Sequence, residues 1–453
     1  MPARRPEVVA WIALGGAVWV AFLLYSIRTH DIVWLQGILL AYALYGVTMH
    51  ALGVLARFRR PPAPPLPHLP FVTVLIPARN EAAVIARSVR SACSLRYHDP
   101  NGTPRFEVIV LDDASTDGTA EVVRALSHRL PVAPQVVRIP EGAGGSKAAV
   151  LNAGLHKAQG ELVAVFDADA RVHPAFLLRA VPYLLEPGVA GVQGLRLFHH
   201  PARTLVAWGQ DVEFRVFQAL MQRARERFGA CVIFGGNGVV VNRRALVRVG
   251  GWNPQALTED IDLAIRFHAL GWRVRYCEEA VVWEESVPTW WQLVRQRTRW
   301  SEGALGALST HLRAILTGRA TPFQKLDLVF FLTGSVVIPA AIFTSYLYGA
   351  ATLLRNVLEP LYLLPLGRSL PPAVTDGAFL LLTASLGISI GSRIGWHPLR
   401  IAGAMAAYLF MGSHQVLSAP LAVLRYARSA LTGRVEWLQT PHGRAPRVRA
   451  QLL

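Results

Sequence analysis

Cysteine is scarce: the chain has three, Cys93, Cys231 and Cys277, an odd number without metal-ligand spacing. That leaves no basis for a disulfide framework or a cysteine-held metal, and reads as free thiols in a reducing compartment. Charge is also sparse, at 17% of 453 residues against 52% apolar. So little charge argues against an ordinary water-soluble protein, and the length exceeds one ordinary core. Part of the chain therefore belongs in lipid. Two nucleotide signatures are missing as well. GAGGSKAA (142–149) lacks the spacing of G-x-x-x-x-G-K-[ST], and no G-x-G-x-x-G follows the first strand. ATP-driven chemistry and dinucleotide oxidoreduction both lose support.

Long apolar runs are present at both ends. Residues 7–26 carry one acid at their start and residues 32–56 carry no charge; each can cross a hydrocarbon core of roughly 30 Å. Arg4 and Arg5 precede the first run, but its length and the second run directly after it set it apart from a cleaved signal peptide. Only RTHD separates the two runs, and ARFRR (56–60) follows them, so the positive-inside rule places both ends of this hairpin in the cytoplasm. The net charge of +17 raises nucleic acid as a partner. The arginines, however, collect beside the apolar runs and at the C-terminus, where anionic lipid head groups meet them. The lipid bilayer is the expected partner, and nucleic acid is not.

The C-terminal third returns to lipid, with spans expected at about 326–350 and 374–391 and a third near 400–424, interrupted by Ser413, His414 and Gln415. Three spans would strand the basic tail outside, so one segment, 353–366 or 400–424, must be split or miscounted. His414 reads as a histidine bonded between helices. The division expected is a transmembrane hairpin at 1–60, a proline-rich linker at 61–70, a soluble domain at 71–285, an interfacial amphipathic helix at 286–320, transmembrane helices at 321–430 and a basic cytoplasmic tail at 431–453.

Within the soluble domain, strand-like runs alternate with helix-period stretches: 71–76, 106–112, 134–139 and 161–167 against 81–93, 118–130 and 146–158. This βαβαβαβ series predicts an α/β domain with a mostly parallel, doubly wound sheet. Right-handed crossovers bring all the carboxyl ends of such strands to one rim, where ligands bind. The rim then collects Glu81, Asp112, Asp113, Asp117, Asp167 and Asp169. Hard carboxylate oxygens in an Asp-x-Asp pair suit Mg²⁺ or Mn²⁺, which completes its shell from substrate phosphates. Lys147 contacts a phosphate, caps a helix, or is an exposed lysine.

Seven stretches in order resemble one family: VTVLIPARNEAAVI, VIVLDDASTDGT, SKAAVLNAGL, FDADA, GGNGVVVNRRALVRVGGW, LTEDIDLAIRFHALGW and QRTRW. Over residues 71–305 the chain resembles the family-2 glycosyltransferases, and among them the membrane-embedded group of cellulose, chitin and hyaluronan synthases. The resemblance implies a GT-A-like, nucleotide-sugar-binding domain set between transmembrane helices of a multi-pass inner-membrane protein, facing the cytoplasm. It implies an inverting transfer of a sugar from a nucleotide-diphosphate sugar. Asp113 and Asp112 hold the nucleotide, with Ala78, Asn80 and Glu81 lining the base and ribose. Asp169 is the main metal ligand, assisted by Asp167, and Lys147 belongs to the donor site. Asp260 is the general base and Glu259 orients it. Gln296, Arg299 and Trp300 close the acceptor site, Arg299 pairing with diphosphate and Trp300 stacking on a sugar. Gln193 and Gly194 line the sugar pocket, and GGNG (235–238) lies near the acceptor.

The product expected first is a growing polysaccharide or glycan, made processively with translocation. Single transfer to a lipid-linked acceptor is the alternative, because no longer gating-loop sequence follows the amphipathic helix. A catalytically silent membrane subunit that binds nucleotide or glycan is a further alternative. Accessory subunits are left open as partners.

Overall fold

A computed structural model of the chain describes residues 6–29, 31–56, 65–142, 144–199, 204–358 and 371–433. The basic residues Arg4 and Arg5, residues 57–60, the first half of the proline-rich stretch and the tail from 434 lie outside these.

Helices α1 (Pro6–Thr29) and α2 (Val33–Leu55) come first. The α/β domain then runs β1 (Val72–Ala78), α3 (Ile85–Cys93), β2 (Phe106–Asp113), α4 (Thr119–Ser127), β3 (Gln135–Ile139), α5 (Lys147–Lys157), β4 (Leu162–Val165), β5 (Arg171–Val172), α6 (Phe176–Leu184) and β6 (Val189–Phe198). It continues through α7 (Leu205–Val212), a π-helix (Glu213–Gln218), α8 (Ala219–Phe228), β7 (Val239–Asn242), α9 (Arg243–Arg248), α10 (Glu259–Ala269) and β8 (Arg273–Glu284). Last come α11 (Trp290–Thr317), α12 (Pro322–Leu358), α13 (Pro372–Ile394), α14 (Pro398–Gly412) and α15 (Gln415–Thr432).

The eight strands form one sheet in the order β3-β2-β1-β4-β7-β6-β8-β5. The first four are parallel, as the alternating pattern predicts. Beyond them the sheet is mixed: β7 runs antiparallel to β4 and β6, while β6 and β8 pair in parallel. Alternation of side chains along the strands feeds two cores. Val74, Val108 and Ala164 face α3 and α6, whereas Leu75, Ile109 and Val163 face α5 and α10. Helices α3 and α5 therefore lie on opposite faces, and the winding reverses between β1 and β4. The carboxyl ends at that reversal carry PARNEA and DADA, the position where open α/β sheets leave a crevice.

Among the described residues, four helical stretches are long and apolar enough to cross a membrane: Val33–Leu55, Pro322–Tyr348, Ala373–Ile394 and Pro398–Thr432. Their outer surfaces expose large apolar side chains, among them Leu44, Phe379, Leu380 and Leu424. The stretch near 400–424 is interrupted at Ser413 and His414, yet Pro398–Thr432 counts as one candidate span. Ser413 and His414 keep right-handed helical torsions, but their amides bond three residues back, to Phe410 O and Met411 O, so a single tight turn joins α14 to α15. His414 Nδ1 meets Ser418 Oγ at 2.9 Å, within this joint and not between helices.

Helix α11 differs from the interfacial helix expected at 286–320. It is enclosed on several sides, burying Leu293, Val294, Arg297, Thr298, Ser301 and Glu302, and it packs against α10, α12 and α15. Glu302 accepts from Arg425 Nε at 2.8 Å and from Ser429 Oγ at 3.1 Å, locking α11 to α15.

Candidate active site

Loops after the parallel strands carry backbone that only a fixed purpose would keep. Asn80 and Ala114, directly beyond β1 and β2, have φ of 56° and 49°, the left-handed region, which for a non-glycine residue such as Ala114 costs on the order of 1 kcal/mol or more. Side chains hold these loops together: Thr116 N donates to Asn80 Oδ1 at 2.9 Å, Asn80 N to Ser115 Oγ at 2.9 Å, and Ala82 N to Asp117 Oδ2 at 3.0 Å.

A cavity of about 530 Å³ opens over the sheet reversal. From the sites expected, Ala78, Glu81, Asp113, Lys147, Asp167, Asp169, Asp260, Gln296, Arg299 and Trp300 all line it. Asn80, Asp112 and Asp117 do not. Asn80 and Asp117 spend their side chains on the loop bonds just given. Asp112 is fully buried, with Arg138 Nε 3.8 Å from its Oδ2, which places it beneath Asp113 and away from the cavity. Gln193 and Gly194 are also behind the wall. Gln193 is 2% exposed, accepts from Gly235 N at 2.7 Å and donates to Asn237 O at 3.0 Å. It ties down the GGNG loop, whose Asn237 in turn joins Asp167 N (3.2 Å) to Glu284 Oε2 (3.0 Å).

At the centre stands Lys147. Its Nζ is 2.5 Å from Asp167 Oδ1, 3.0 Å from Gly236 O and 3.5 Å from Glu259 Oε1. Burial alone would lower this ammonium's pKa, but Asp167 and Glu259 outweigh it and hold it above the ordinary lysine value. Asp260 moves the other way for an acid. Burial, with Glu259 beside it, pushes its pKa up to about 7, against the lowering influence of Lys147 and Arg196. Thr258 occupies the N-cap position of α10, yet its side chain makes no cap bond and its Oγ1 is buried without a partner. The acids at the head of α10 are therefore not explained by capping through Thr258. Gly236 has a φ of 77°, and a β-carbon there would lie 3.3 Å from Asp260 Oδ2; the loop passes the Asp260 carboxylate in a backbone conformation that favours glycine.

Asp169 Oδ2 accepts from Glu285 N at 3.0 Å, which brings the end of β8 against the Asp-x-Asp pair. Glu284 and Glu285 line the cavity together with Arg196, Arg297 and Glu213. These five were not singled out from the sequence. Glu284 and Glu285 had a signal, since an acid pair ending an apolar run is the pattern that marked Asp112 and Asp113. Arg196 clasps Glu284 with Nε at 3.2 Å and Nη2 at 2.8 Å. Arg297 clasps Glu213 of the π-helix at 2.9 and 2.6 Å and lies 4.2 Å over the Trp300 ring. Arg299 is partly buried, and the loss of hydration lowers its pKa against the pull of Glu259, Asp167 and Asp260.

Two carboxylates on one strand tip fit a divalent cation that keeps positions open for phosphate oxygens. Among the described residues no group of three or more His, Cys, Asp or Glu side chains gathers into a site that could hold a metal alone.

The family model described as glycosyltransferase like family 2 matches residues 68–303. The chain belongs to this family. It is an inverting nucleotide-sugar glycosyltransferase, and the silent-subunit alternative falls away. Beta-monoglucosyldiacylglycerol synthase of Synechocystis is 33% identical over 432 residues, 91% of this chain and 85% of that protein. Glucomannan 4-beta-mannosyltransferase 7 of Arabidopsis thaliana is 31% identical over 245 residues, 53% of this chain and 43% of that one. Among solved structures, mannosyltransferase PcManGT of Pyrobaculum calidifontis, in complex with GDP-Man and Mn²⁺, aligns with a TM-score of 0.57 at 26% identity, covering 84% of this chain and 99% of that one. The family-2 resemblance holds, while the narrower likeness to cellulose, chitin and hyaluronan synthases is not what these relatives carry.

Proposed function

We propose that this glycosyltransferase moves a single hexose from a nucleoside-diphosphate sugar to the free hydroxyl of a membrane lipid of the diacylglycerol type. The observation that carries the reading is the cavity's extent. One continuous space runs from the nucleotide rim, at Ala78 and Asp113, past Asp260 to Phe217, Met221 and Tyr408 and on to Phe331 and Ser335, deep in a helix apolar enough to cross a membrane. An acceptor that arrives from the bilayer needs that shape. The Synechocystis relative, with its high mutual coverage, supports the same class of acceptor.

Asp113, Ala78 and Glu81 are assigned to the nucleotide, and Asp169 with Asp167 to a Mg²⁺ or Mn²⁺ ion, which when bound would neutralise charge on the leaving diphosphate. Asp260 takes the proton of the acceptor hydroxyl as that oxygen attacks the anomeric carbon from the face opposite the leaving group. Its pKa near 7 suits proton transfer at neutral pH. Lys147 and Arg299 offer positive charge to the diphosphate, and Trp300 offers a face for the sugar. The α/β domain is assigned to the cytoplasmic face of the inner membrane, between multi-pass helices.

Lengthening of a glycan is the second reading, favoured by the similarity to the Arabidopsis mannosyltransferase. Detergent-purified protein given UDP- and GDP-sugars with Mn²⁺, Mg²⁺ or EDTA, and either diacylglycerol or oligosaccharide as acceptor, decides between them. Metal-dependent glycolipid formation, lost in Asp169→Ala, is the expected result. Transfer to oligosaccharide alone would replace the first reading with the second.

A further inference from the structure

The far arm of the cavity is a built surface. The π-helix, whose wide turn often marks functional segments, sends Glu213, Phe217 and Gln218 into the cavity wall. The Phe217 ring lies 4.3 Å from Tyr408, and Arg225 stands 4.8 Å over the Phe331 ring. Arg225 brings no free charge to the arm, because Asp327 accepts its Nε at 3.0 Å and Tyr45 Oη donates to the same carboxylate at 2.6 Å. What remains is apolar surface with isolated polar atoms. Ser335 Oγ, Arg297 Nε and Gln296 Oε1 are buried, line the cavity and have no hydrogen-bond partner. Leaving such buried groups unpaired is costly, so a ligand that pairs them gains. Ser335 lies eight residues beyond Asp327 on α12, roughly 12 Å farther along the helix at 1.5 Å per residue.

We propose that this arm is the seat of the acceptor's ester and acyl portion, with Ser335 Oγ and Arg297 Nε donating to ester carbonyls and the acyl chains lying on Phe217, Met221 and Phe331. The proposal rests on the lipid-acceptor reading above. The chemistry is complementary: two unpaired donors meet two ester carbonyls, and Gln296 Oε1 is placed to accept from a hydroxyl. A soluble sugar could stack on the aromatic faces but brings no ester carbonyl to the unpaired donors and no chain to follow the apolar wall.

The test compares a long-chain diacylglycerol in vesicles with a short-chain, water-soluble one for wild type, Ser335→Ala, Ser335→Phe and Met221→Trp, each first checked for nucleotide binding. Filling the arm with Ser335→Phe or Met221→Trp is expected to raise KM for the long-chain lipid about tenfold or more relative to the short-chain one, whereas Ser335→Ala, which removes a donor to ester carbonyls that both lipids carry, should raise KM about threefold for both with kcat held. Arm-filling variants that depress both acceptors alike, or leave the long-chain lipid unchanged, or a Ser335→Ala that lowers kcat with KM unmoved, overturn the proposal. Wild-type protein photolabelled by a diazirine-bearing diacylglycerol gives a check without substitution. Labels on residues 217–221 and 331–335, competed by unlabelled lipid, are expected; labels confined to the outer surfaces of the helices overturn it. Wild-type protein that glycosylates neither lipid but does use oligosaccharide overturns the acceptor reading itself, a separate outcome from failure of the arm.

Discussion

Lys147 opens α5 and Glu259 opens α10, yet their Nζ and Oε1 stand 3.5 Å apart, with Asp167 Oδ1 2.5 Å from the same ammonium. One cation thus joins the Asp-x-Asp strand end to the segment that carries the base. Because Lys147 helps hold down the pKa of Asp260, Lys147→Met is expected to shift the acidic limb of the pH–rate profile to higher pH. It should lower kcat/KM at pH 7 about 10–100-fold. Lys147→Arg should not restore it, since a planar guanidinium does not fit a site made for a point charge. A pH–rate profile of each variant checks both statements.

In the proposed role of base Asp260 acts ionised, and its pKa is raised to about 7. Wild-type kcat/KM should therefore fall about tenfold per unit below that pH. Asp260→Asn should cost on the order of 10²–10⁴ in turnover while nucleotide affinity persists. The stability sign is opposite. An acid whose folded pKa is raised favours folding below its unfolded value and loses that contribution as pH rises toward the folded one. The thermal stability of Asp260→Asn relative to wild type should thus increase from about pH 4 to pH 7 and then level off, as melting curves across pH would record.

Asp169→Ala removes one of two carboxylates at the β4 tip, the one already fixed by Glu285 N at 3.0 Å. Donor turnover should drop about 100-fold or more and lose its response to added Mn²⁺. Chelation of the wild type with EDTA should mimic the variant and be reversed by Mn²⁺, as nucleotide release would show.

Gly303 on α11 faces Thr258 so closely that a β-carbon there would collide with its side chain, whereas at Gly306 the nearest atom, Tyr426 Cε2, would be 3.7 Å away. Gly303→Ala should therefore destabilise by about 1–3 kcal/mol and lower turnover by disturbing the loop before Asp260. Gly306→Ala, one turn on, should be neutral or stabilising by up to about 1 kcal/mol, since alanine favours helix. Denaturation and turnover of the pair separate the two effects.

Arg225 and Asp327 are 3% and 1% exposed and join α8 to α12. Asp327→Ala should cost about 3–5 kcal/mol by stranding a buried guanidinium, and replacing both by apolar residues of similar size should recover most of it. A double-mutant cycle on thermal stability measures this.

The acids at strand ends were legible because a parallel sheet sends every carboxyl end to one rim. Asp113, Asp167 and Asp169 needed only the alternation of apolar runs and helices to be placed there. The residues that went unseen, or whose side chains do not line the cavity, share physical causes. Asn80, Asp117 and Gln193 have side chains that suit a ligand, but the loops that hold Asn80 and Asp117, and the GGNG loop beside Gln193 on β6, leave backbone groups to be satisfied, and those bonds took them. Glu213 and Phe217 lie in a π-helix, whose extra residue per turn breaks the 3.6-residue period by which a helix face is read. Arg196 and Glu284 neutralise each other across β6 and β8, a parallel pairing between distant segments that no local pattern announces. The break at Ser413 and His414 was marked by polar residues in an apolar run, but its form, a tight turn with no change of helical hand, depends on hydrogen bonds made within the joint.

Residues that wall the cavity run from Pro77 to Ser418. On the ribosome the rim from Pro77 to Asp169 is therefore made long before the last walls, and a chain stopped before α12 lacks Phe331, Ser335, Tyr408 and Ser418. Such a product would carry the wall assigned to the nucleotide without the far arm proposed for the acceptor. Activity becomes a property of the finished polypeptide, acquired at the end of translation and not with the folding of the α/β domain that performs the chemistry.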